Sequence, residues 1–450
     1  MEQVRVYLHP VGCPKANVDL EKASRGLEDK GFKIVDTPAG AQVGILFGCA
    51  FIDDAKRESI DAILELGVLK REGDLKYLVV TGCLPEKYAE SVSPSLPEVD
   101  AFIGNSHLDS LATIVRDLCR GRLRTKHWVG GAFKRGRDEP RSAARSSPWT
   151  RTVMISDGCD NACTYCSIPH MRGGLRSRGV SEILSEIGLV VDQGAKEVVL
   201  AGQDTASYGR DTGQSDLTRL LAEVAERFPS QWIRLSYVNP DNMDPGLGSV
   251  IRCHANVCDY VDMPVQHASP RILAAMGRRD DPRAVVSRID ALRRAVPDIA
   301  LRTSVIVGFP GETEDDIDLL LDFLRKIKFD LAGVFAFSPQ EGTPAATLKS
   351  RVPGDVTQAR LVEVICVQEE IARKRMEAFV GRKLEVIIEE AAGTGQAVGR
   401  SQYDMAEIDR VIRIADCAAQ PGDVVTATID GIAAPYEWSG TCRSDLPRSG

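Results

Sequence analysis

The stretch DGCDNACTYCSIPHMRG, residues 157–173, decides how the rest of this chain is read. It sets Cys159, Cys163 and Cys166 in a C-x3-C-x2-C spacing, directly after the β-rich run TVMISDG (152–158). A structural zinc site wants four closed ligands, usually as two separated C-x2-C knuckles. Ferredoxin-type clusters also use four cysteines. Three clustered thiols in a loop rich in Asp, Asn and Gly do not have the composition of a buried apolar segment. They point to a metal centre with one position left for an exchangeable ligand.

The flanking sequence says where such a centre would sit. From 149 to 378 strand and helix patterns alternate. SEILSEIGLVVDQGAKEVVLAGQDT (181–205) reads as a Ser-capped helix, a Gly stop and a buried strand. LRTSVIVGFPGETEDDIDLLLDFLRKIKFDLAGVFAFSP (301–339) repeats the unit, with a cap at Thr313 and an acid three positions later. About six such units fit, which predicts an open (β/α)6 barrel rather than a closed eight-stranded one, with its chemistry at the carboxyl ends of the strands.

Residues 1–120 form a second α/β segment. VRVYL (4–8), QVGILF (42–47) and KYLVVT (76–81) are nearly continuous apolar runs, as strands of a parallel sheet buried on both faces should be. Cys13, Cys49 and Cys83 each follow one of these strands, and Gly12, Gly48 or Gly82 precedes each. Carboxyl strand ends converge on one crevice in an open sheet, so thiols far apart in sequence would face a common point. The glycines would let backbone approach something bulky. A second three-cysteine site is therefore expected. Cys119, Cys253, Cys258, Cys366, Cys417 and Cys442 lack this context and read as small core hydrophobes.

Two further segments complete the chain. The linker 121–148 lies in a basic stretch: from Arg120 to Arg151 there are ten Lys or Arg against two acids. It reads either as a solvated linker or as a strap for a phosphate-rich partner. From 379 to 450 the helical pattern gives way to KLEVIIEE, IDRVIRIA, DVVTATIDG and YEWSGTC, which predict a small antiparallel β-barrel. A net charge of −8 argues against a whole-surface nucleic-acid or membrane binder. No apolar run reaches the ~18 residues of a membrane span. The opening MEQVRVYLHP reads as a strand, not a secretory leader. A cytoplasmic location is expected, with the twelve cysteines as thiols or metal ligands rather than disulfides.

Two three-cysteine sites in this order, ahead of a small β-domain, resemble the methylthiotransferase family of radical S-adenosylmethionine (SAM) enzymes. GCPKANVDLE (12–21), FIDDAKRESID (51–61), GCLPEKY (82–88), LPEVDAFIG (96–104), MPVQHASPRILAAMGRR (263–279) and VFAFSPQEGTPAA (334–346) are similar to its ribosomal-protein branch. The resemblance implies two 4Fe-4S clusters. One, on Cys159, Cys163 and Cys166, would be completed by SAM and would yield a 5′-deoxyadenosyl radical. The other, auxiliary, would sit on Cys13, Cys49 and Cys83 and carry the sulfur to be inserted. Tyr165, Gln203, Asp204, Gln266, His267, Gly308, Glu312 and Phe337 stand where such barrels contact SAM. The residues 379–450 would be a TRAM-like domain. Implied partners are a small-subunit ribosomal protein methylthiolated at an aspartate β-carbon, an electron-donor protein, a sulfur source, and RNA through the linker or TRAM-like domain. A transfer-RNA adenosine methylthiotransferase is the alternative within the family, since CDNACTYC is similar to that branch. A non-catalytic iron–sulfur module binding RNA or ribosomes is the alternative outside it.

Overall fold

In the computed structural model, residues 3–442 other than 13, 134–140, 143–146, 215, 280, 392 and 394 are described. The contacts group them into two compact units. One holds 1–144, 152–186 and 338–346; the other holds 145–151, 187–337 and 347–450.

The first unit is built on a six-stranded parallel sheet. Its strands lie in the order Lys33–Val35, Arg5–Pro10, Val43–Gly48, Tyr77–Gly82, Ala101–Gly104 and His127–Trp128. Every residue of Val43–Gly48 is buried, which is why its sequence shows no polar alternation. Helices Pro14–Glu28 and Leu111–Cys119 pack Leu20, Ala23, Leu27, Leu111, Val115 and Leu118 into one core. Ala62, Ile63 and Leu66 of helix Asp53–Glu72 join Leu84 and Ala89 of Cys83–Val92 in another. The apolar residues recur every three or four positions, so each helix turns one stripe inward.

The cysteine-rich stretch 157–173 belongs to this same unit, and Met171, fully buried, is part of the second core. The basic stretch gives an unexpected strut. Arg141 is buried and pairs with Glu21 and Glu186, the latter at 2.7 Å, while also donating to the Thr152 carbonyl at 2.6 Å. So this arginine is neither solvated nor offered to a phosphate. The rest of the linker's charged core, 134–140 and 143–146, lies outside the described residues.

In element order, strands Thr150–Met154, Glu197–Ala201, Trp232–Leu235, Tyr260–Asp262, Ala300–Val307 and Leu331–Ala336 alternate with helices as in an open (β/α)6 barrel. Within the second unit, Glu197–Ala201 pairs in parallel with Trp232–Leu235, and Ala300–Val307 with both Tyr260–Asp262 and Leu331–Ala336. Thr313 forms the expected capping box with Asp316. The long helix Gly354–Glu377 leads to a closed five-stranded barrel. Its strands are Lys383–Ala391, Gln396–Ser401, Val411–Ala415, Val424–Ala434 and Glu437–Thr441.

That barrel differs from the expectation in two ways. Gln396–Ser401 is a strand whose short, Gly-flanked pattern gave no clear alternation, and Val411–Ala415 runs parallel to Glu437–Thr441. The second follows from parity, because five strands closed into a ring cannot alternate direction all the way round. Among the described residues no helix is long and apolar enough to cross a membrane.

A buried ion triad joins the two halves of the second unit. The Glu197 carboxylate takes Arg234 Nε at 2.5 Å on one oxygen and Arg400 on the other, and none of the three is more than 2% exposed. Arg400 lies on a strand of the small barrel and the other two on strands of the large one. Burial would push the Glu197 carboxyl up, but the Arg400 and Arg234 guanidiniums prevail and hold it below the usual carboxylate range. A buried pair broken by removing one partner costs about 3–5 kcal/mol. Glu197→Ala should lower stability by that order, read as a fall in the urea midpoint. Because the folded-state pKa is depressed, the wild-type contribution is present above the ordinary Glu range and fades as pH falls through the folded value. The difference between the two proteins should shrink in acid.

Candidate metal centres and cosubstrate site

Register brings the N-terminal cysteines together. In the parallel ladder Gly48 lies opposite Gly82, and Gly82 opposite Gly104. The next residue on each strand, Cys49, Cys83 and Asn105, therefore leaves the sheet at the same level. The first strand joins through the Val11 N–H, which donates to the Phe47 carbonyl at 3.0 Å. Gly12 has φ +108°, and a Cβ added there would lie 2.8 Å from the Cys49 Cβ and 3.2 Å from its Sγ. At Gly82, φ +102°, an added Cβ would lie 2.8 Å from the Gly48 carbonyl oxygen. Only glycine lets these loops close. Cys13 itself lies outside the described residues, one position beyond a glycine that touches Cys49.

The second cysteine set sits on a loop closed at its neck. Ser156 and Asp157 pair antiparallel with Ser177 and Arg176. Asp157 also takes Arg176 at 2.9 Å and Arg172 at 3.4 Å, and Arg172 reaches Asp19 at 2.7 Å. Gly158 passes so near the Gly174 carbonyl that a Cβ would overlap it. The Cys159 N–H donates to Gly173 O at 3.1 Å and the Cys166 N–H to Cys163 O at 3.1 Å. Arg176 and Arg178 are internal struts. Arg178 is buried on Glu186 at 2.6 Å, and Arg176 also donates to the Arg172 and Gly174 carbonyls.

Two side chains span the cysteine sets. Lys87 Nζ donates to Ser167 Oγ at 2.8 Å, and Asn105 Nδ2 lies 3.3 Å from Cys83 Sγ and 2.9 Å from the Met171 carbonyl. Asn105 and Lys87 were not singled out in the sequence. The repeated Gly-X at strand ends, GCA, GCL and then GNS, is the signal that finds Asn105.

In the second unit the expected SAM contacts stand at strand ends. Both polar atoms of the Gln203 amide are buried with no hydrogen-bond partner among the described residues. Asp204 accepts from Ser207 Oγ and Asn242 Nδ2, each at 2.7 Å. Gln266 adopts a left-handed backbone, φ +67°, while its N–H and carbonyl bridge to the next strand. His267, fully buried, receives the Ala268 and Ser269 N–H groups on Nδ1, and its Nε2 lies 3.4 Å from Glu312. Glu312 accepts from the Gly308 N–H at 2.8 Å and Arg360 at 2.9 Å. His267, Gly308 and Glu312 thus form one clamp, and Phe337 packs edge-on to Phe309 at 5.1 Å. Tyr237, φ +57° at another strand end, is a position that sequence reading passed over. Tyr165 is half-buried in the cysteine loop of the first unit.

The remaining cysteines divide. Cys258 and Cys417 are buried as expected, whereas Cys253 and Cys366 are exposed, on helix faces that meet water rather than the core.

The donor chemistry of 159–166 fits a multinuclear cluster. Burial pushes the Cys166 thiol up to about 12, with Cys163 and Cys159 adding to it, against the Ile168 N–H and the Lys15 ammonium. A thiol so placed needs a strongly cationic centre to lose its proton. Among the described residues no three His, Cys, Asp or Glu side chains converge on a single ion, and ligands of a cube sit on separate irons rather than on one. Gln203, with an unmet donor and acceptor, fits a polar cosubstrate, since each orphan costs about 1–3 kcal/mol unless something binds it.

Residues 153–324 match the radical SAM superfamily, 5–104 the uncharacterized protein family UPF0004, and 380–440 the TRAM domain. The ribosomal protein uS12 methylthiotransferase RimO of Anaeromyxobacter sp. (strain Fw109-5) is 41% identical over 98% of this chain and 93% of its own length. The chain belongs to the RimO family. The RimO of Natranaerobius thermophilus is 38% identical over 95% of this chain and 96% of itself. As a RimO-family protein it is a radical SAM methylthiotransferase. In fold it is also similar to the radical SAM methyltransferase TsrM of Kitasatospora setae, at TM-score 0.58 and 13% identity, covering 77% of this chain and 74% of that one.

Gly12→Ala tests the N-terminal cradle. The strained Cβ would push Cys49 aside, and iron per anaerobically reconstituted chain should fall from about eight to about four, as one tetranuclear cluster is lost. Unchanged iron content would mean that Cys49 plays no part in holding metal.

Proposed function

We propose that this enzyme inserts a methylthio group at the β-carbon of one aspartate in the small-subunit ribosomal protein uS12, the protein named in its relatives' titles. In this reading Cys13, Cys49 and Cys83, in the N-terminal segment 1–120, hold the auxiliary 4Fe-4S cluster. Cys159, Cys163 and Cys166, at the head of the barrel segment 149–378, hold the SAM-binding one. The observation that supports it most is that Cys49 and Cys83 lie in one compact unit with Cys159, Cys163 and Cys166, with Asn105 reaching from Cys83 to the backbone of the second loop.

When bound, the clusters and SAM supply the electron, the radical chemistry at an unactivated C–H bond and the sulfur; the chain supplies position and shelter. Gly12 and Gly82 bring the strand-end backbones close enough for a shared centre. Asp157, gripped by Arg172 and Arg176, fixes the neck of the 159–166 loop. Lys15 adds positive charge beside Cys166 and favours its thiolate. Gln203 offers an amide to the polar end of the cosubstrate, and Gln266 presents its side chain from a backbone fixed on both sides. The His267–Glu312–Arg360 clamp fixes the turn at Gly308, which is assigned to the nucleoside side. Asp204 and Phe337 are the further SAM contacts proposed in the second unit, and Tyr165 is the one proposed next to Cys166 in the sequence. The TRAM-like segment 379–450 and the basic linker are assigned to RNA on the ribosome. A cytoplasmic electron donor and a sulfur source complete the system.

Replacing Cys13, Cys49 and Cys83 together by Ala should leave SAM cleavage to 5′-deoxyadenosine intact and abolish methylthiolation of a uS12 peptide followed by mass spectrometry. Loss of both activities in a folded protein would overturn the division of labour. Unmodified transfer-RNA adenosine with fully modified uS12 in a strain lacking the enzyme would overturn the substrate.

A further inference from the structure

Asn105 occupies the fourth place in a row whose second and third members are Cys49 and Cys83. The row is set by the ladder Gly48, Gly82, Gly104, and each member is the first residue past its glycine. Where a fourth thiol would close the site, the chain carries an amide. That amide cannot be flipped. The Met171 carbonyl, 2.9 Å away, only accepts, so the atom facing it must be the NH2 group, and the same Nδ2 lies 3.3 Å from Cys83 Sγ. Its two N–H bonds therefore point one at the backbone of the 157–173 loop and one at the sulfur. The Asn105 Oδ1 is buried with no hydrogen-bond partner among the described residues, so nothing else holds the amide in this pose.

Resting on the reading of Cys83 as a ligand of the auxiliary cluster, we infer that Asn105 is a positioning residue for that cluster. It donates an N–H···S hydrogen bond to Cys83 from an amide anchored on the Met171 carbonyl. It thereby raises the cluster's reduction potential and ties that potential to the geometry of the SAM-binding loop. Hydrogen bonds to cluster sulfurs are among the levers that set such potentials. A donor stabilises the reduced, more negative state of the cluster more than the oxidised one, so it moves the midpoint upward.

The test uses full-length protein in which Cys159, Cys163 and Cys166 are replaced by Ala, so that only the auxiliary cluster assembles. If this protein binds no cluster, the ligand reading itself is wrong. If it binds about four irons, the midpoint is measured by redox titration for Asn105, Asn105→Leu and Asn105→Asp. The inference expects both variants to titrate at more negative potential, Asp the further because it adds a negative charge, with iron content retained. A Leu variant at the parental midpoint overturns it, whether or not Asp moves. Where a variant loses its cluster, the parental protein decides: with its asparagine side chains carrying heavy nitrogen, the reduced cluster should show a weak through-bond nitrogen coupling. The absence of that coupling overturns the inference equally.

Discussion

The alignment of glycines across the N-terminal sheet is the constraint on which the rest depends. Gly48, Gly82 and Gly104 stand opposite one another in a parallel ladder, and the chain leaves the sheet immediately after each. A slip of one residue would turn the following side chains to the opposite face. Cys49 and Cys83 would then no longer stand at one level. Register here is not held by the site. It is held by Val43–Gly48, buried at every position, and by the apolar helix stripes on both faces. The common level of Cys49 and Cys83 is thus a by-product of ordinary packing.

Charge supplies the second half of the argument. Burial, with Cys163 and Cys159 nearby, pushes the Cys166 thiol up, so its proton is given up only to a strongly cationic partner. The surrounding structure answers with arginine–carboxylate pairs rather than with loose charge. Asp157 between Arg172 and Arg176, and Arg141 between Glu21 and Glu186, hold backbone segments that sequence separates widely. Such pairs bring little net stability when buried. They do fix angles, and here they fix the neck of the loop that carries Cys159, Cys163 and Cys166.

Much of this was legible in the sequence because it follows from local pattern. Continuous apolar runs gave the parallel strands, and Thr313 with Asp316 gave a helix start. The positions of Cys49 and Cys83 just past their strands put them at one level of the sheet. What stayed hidden depends on partners far away in the chain. Arg141 looks like one more charge in a basic linker until Glu21, 120 residues earlier, is found beside it. Asn105 has no chemistry of its own and becomes notable only when Cys83 and Met171 are adjacent. The parallel pair in the small barrel could have been deduced from the number of strands, had Gln396–Ser401 been counted.

The barrel strands of the second unit show how stability and function divide along one element. Strand Glu197–Ala201 begins with a carboxylate whose partners are buried, and two residues beyond its end Gln203 carries an amide with no partner among the described residues. Tyr237 and Gln266, after the next two strands, hold left-handed backbones that side-chain-bearing residues rarely adopt. Each such conformation costs about 1–3 kcal/mol. The amino ends of these strands are therefore fastened to the small barrel, while the carboxyl ends carry unmet polarity and strain. A fold selected for stability alone would have put glycine at 237 and 266 and an apolar side chain at 203. The chain keeps unmet polarity and strain there instead, at the strand ends where barrels of this kind carry their chemistry.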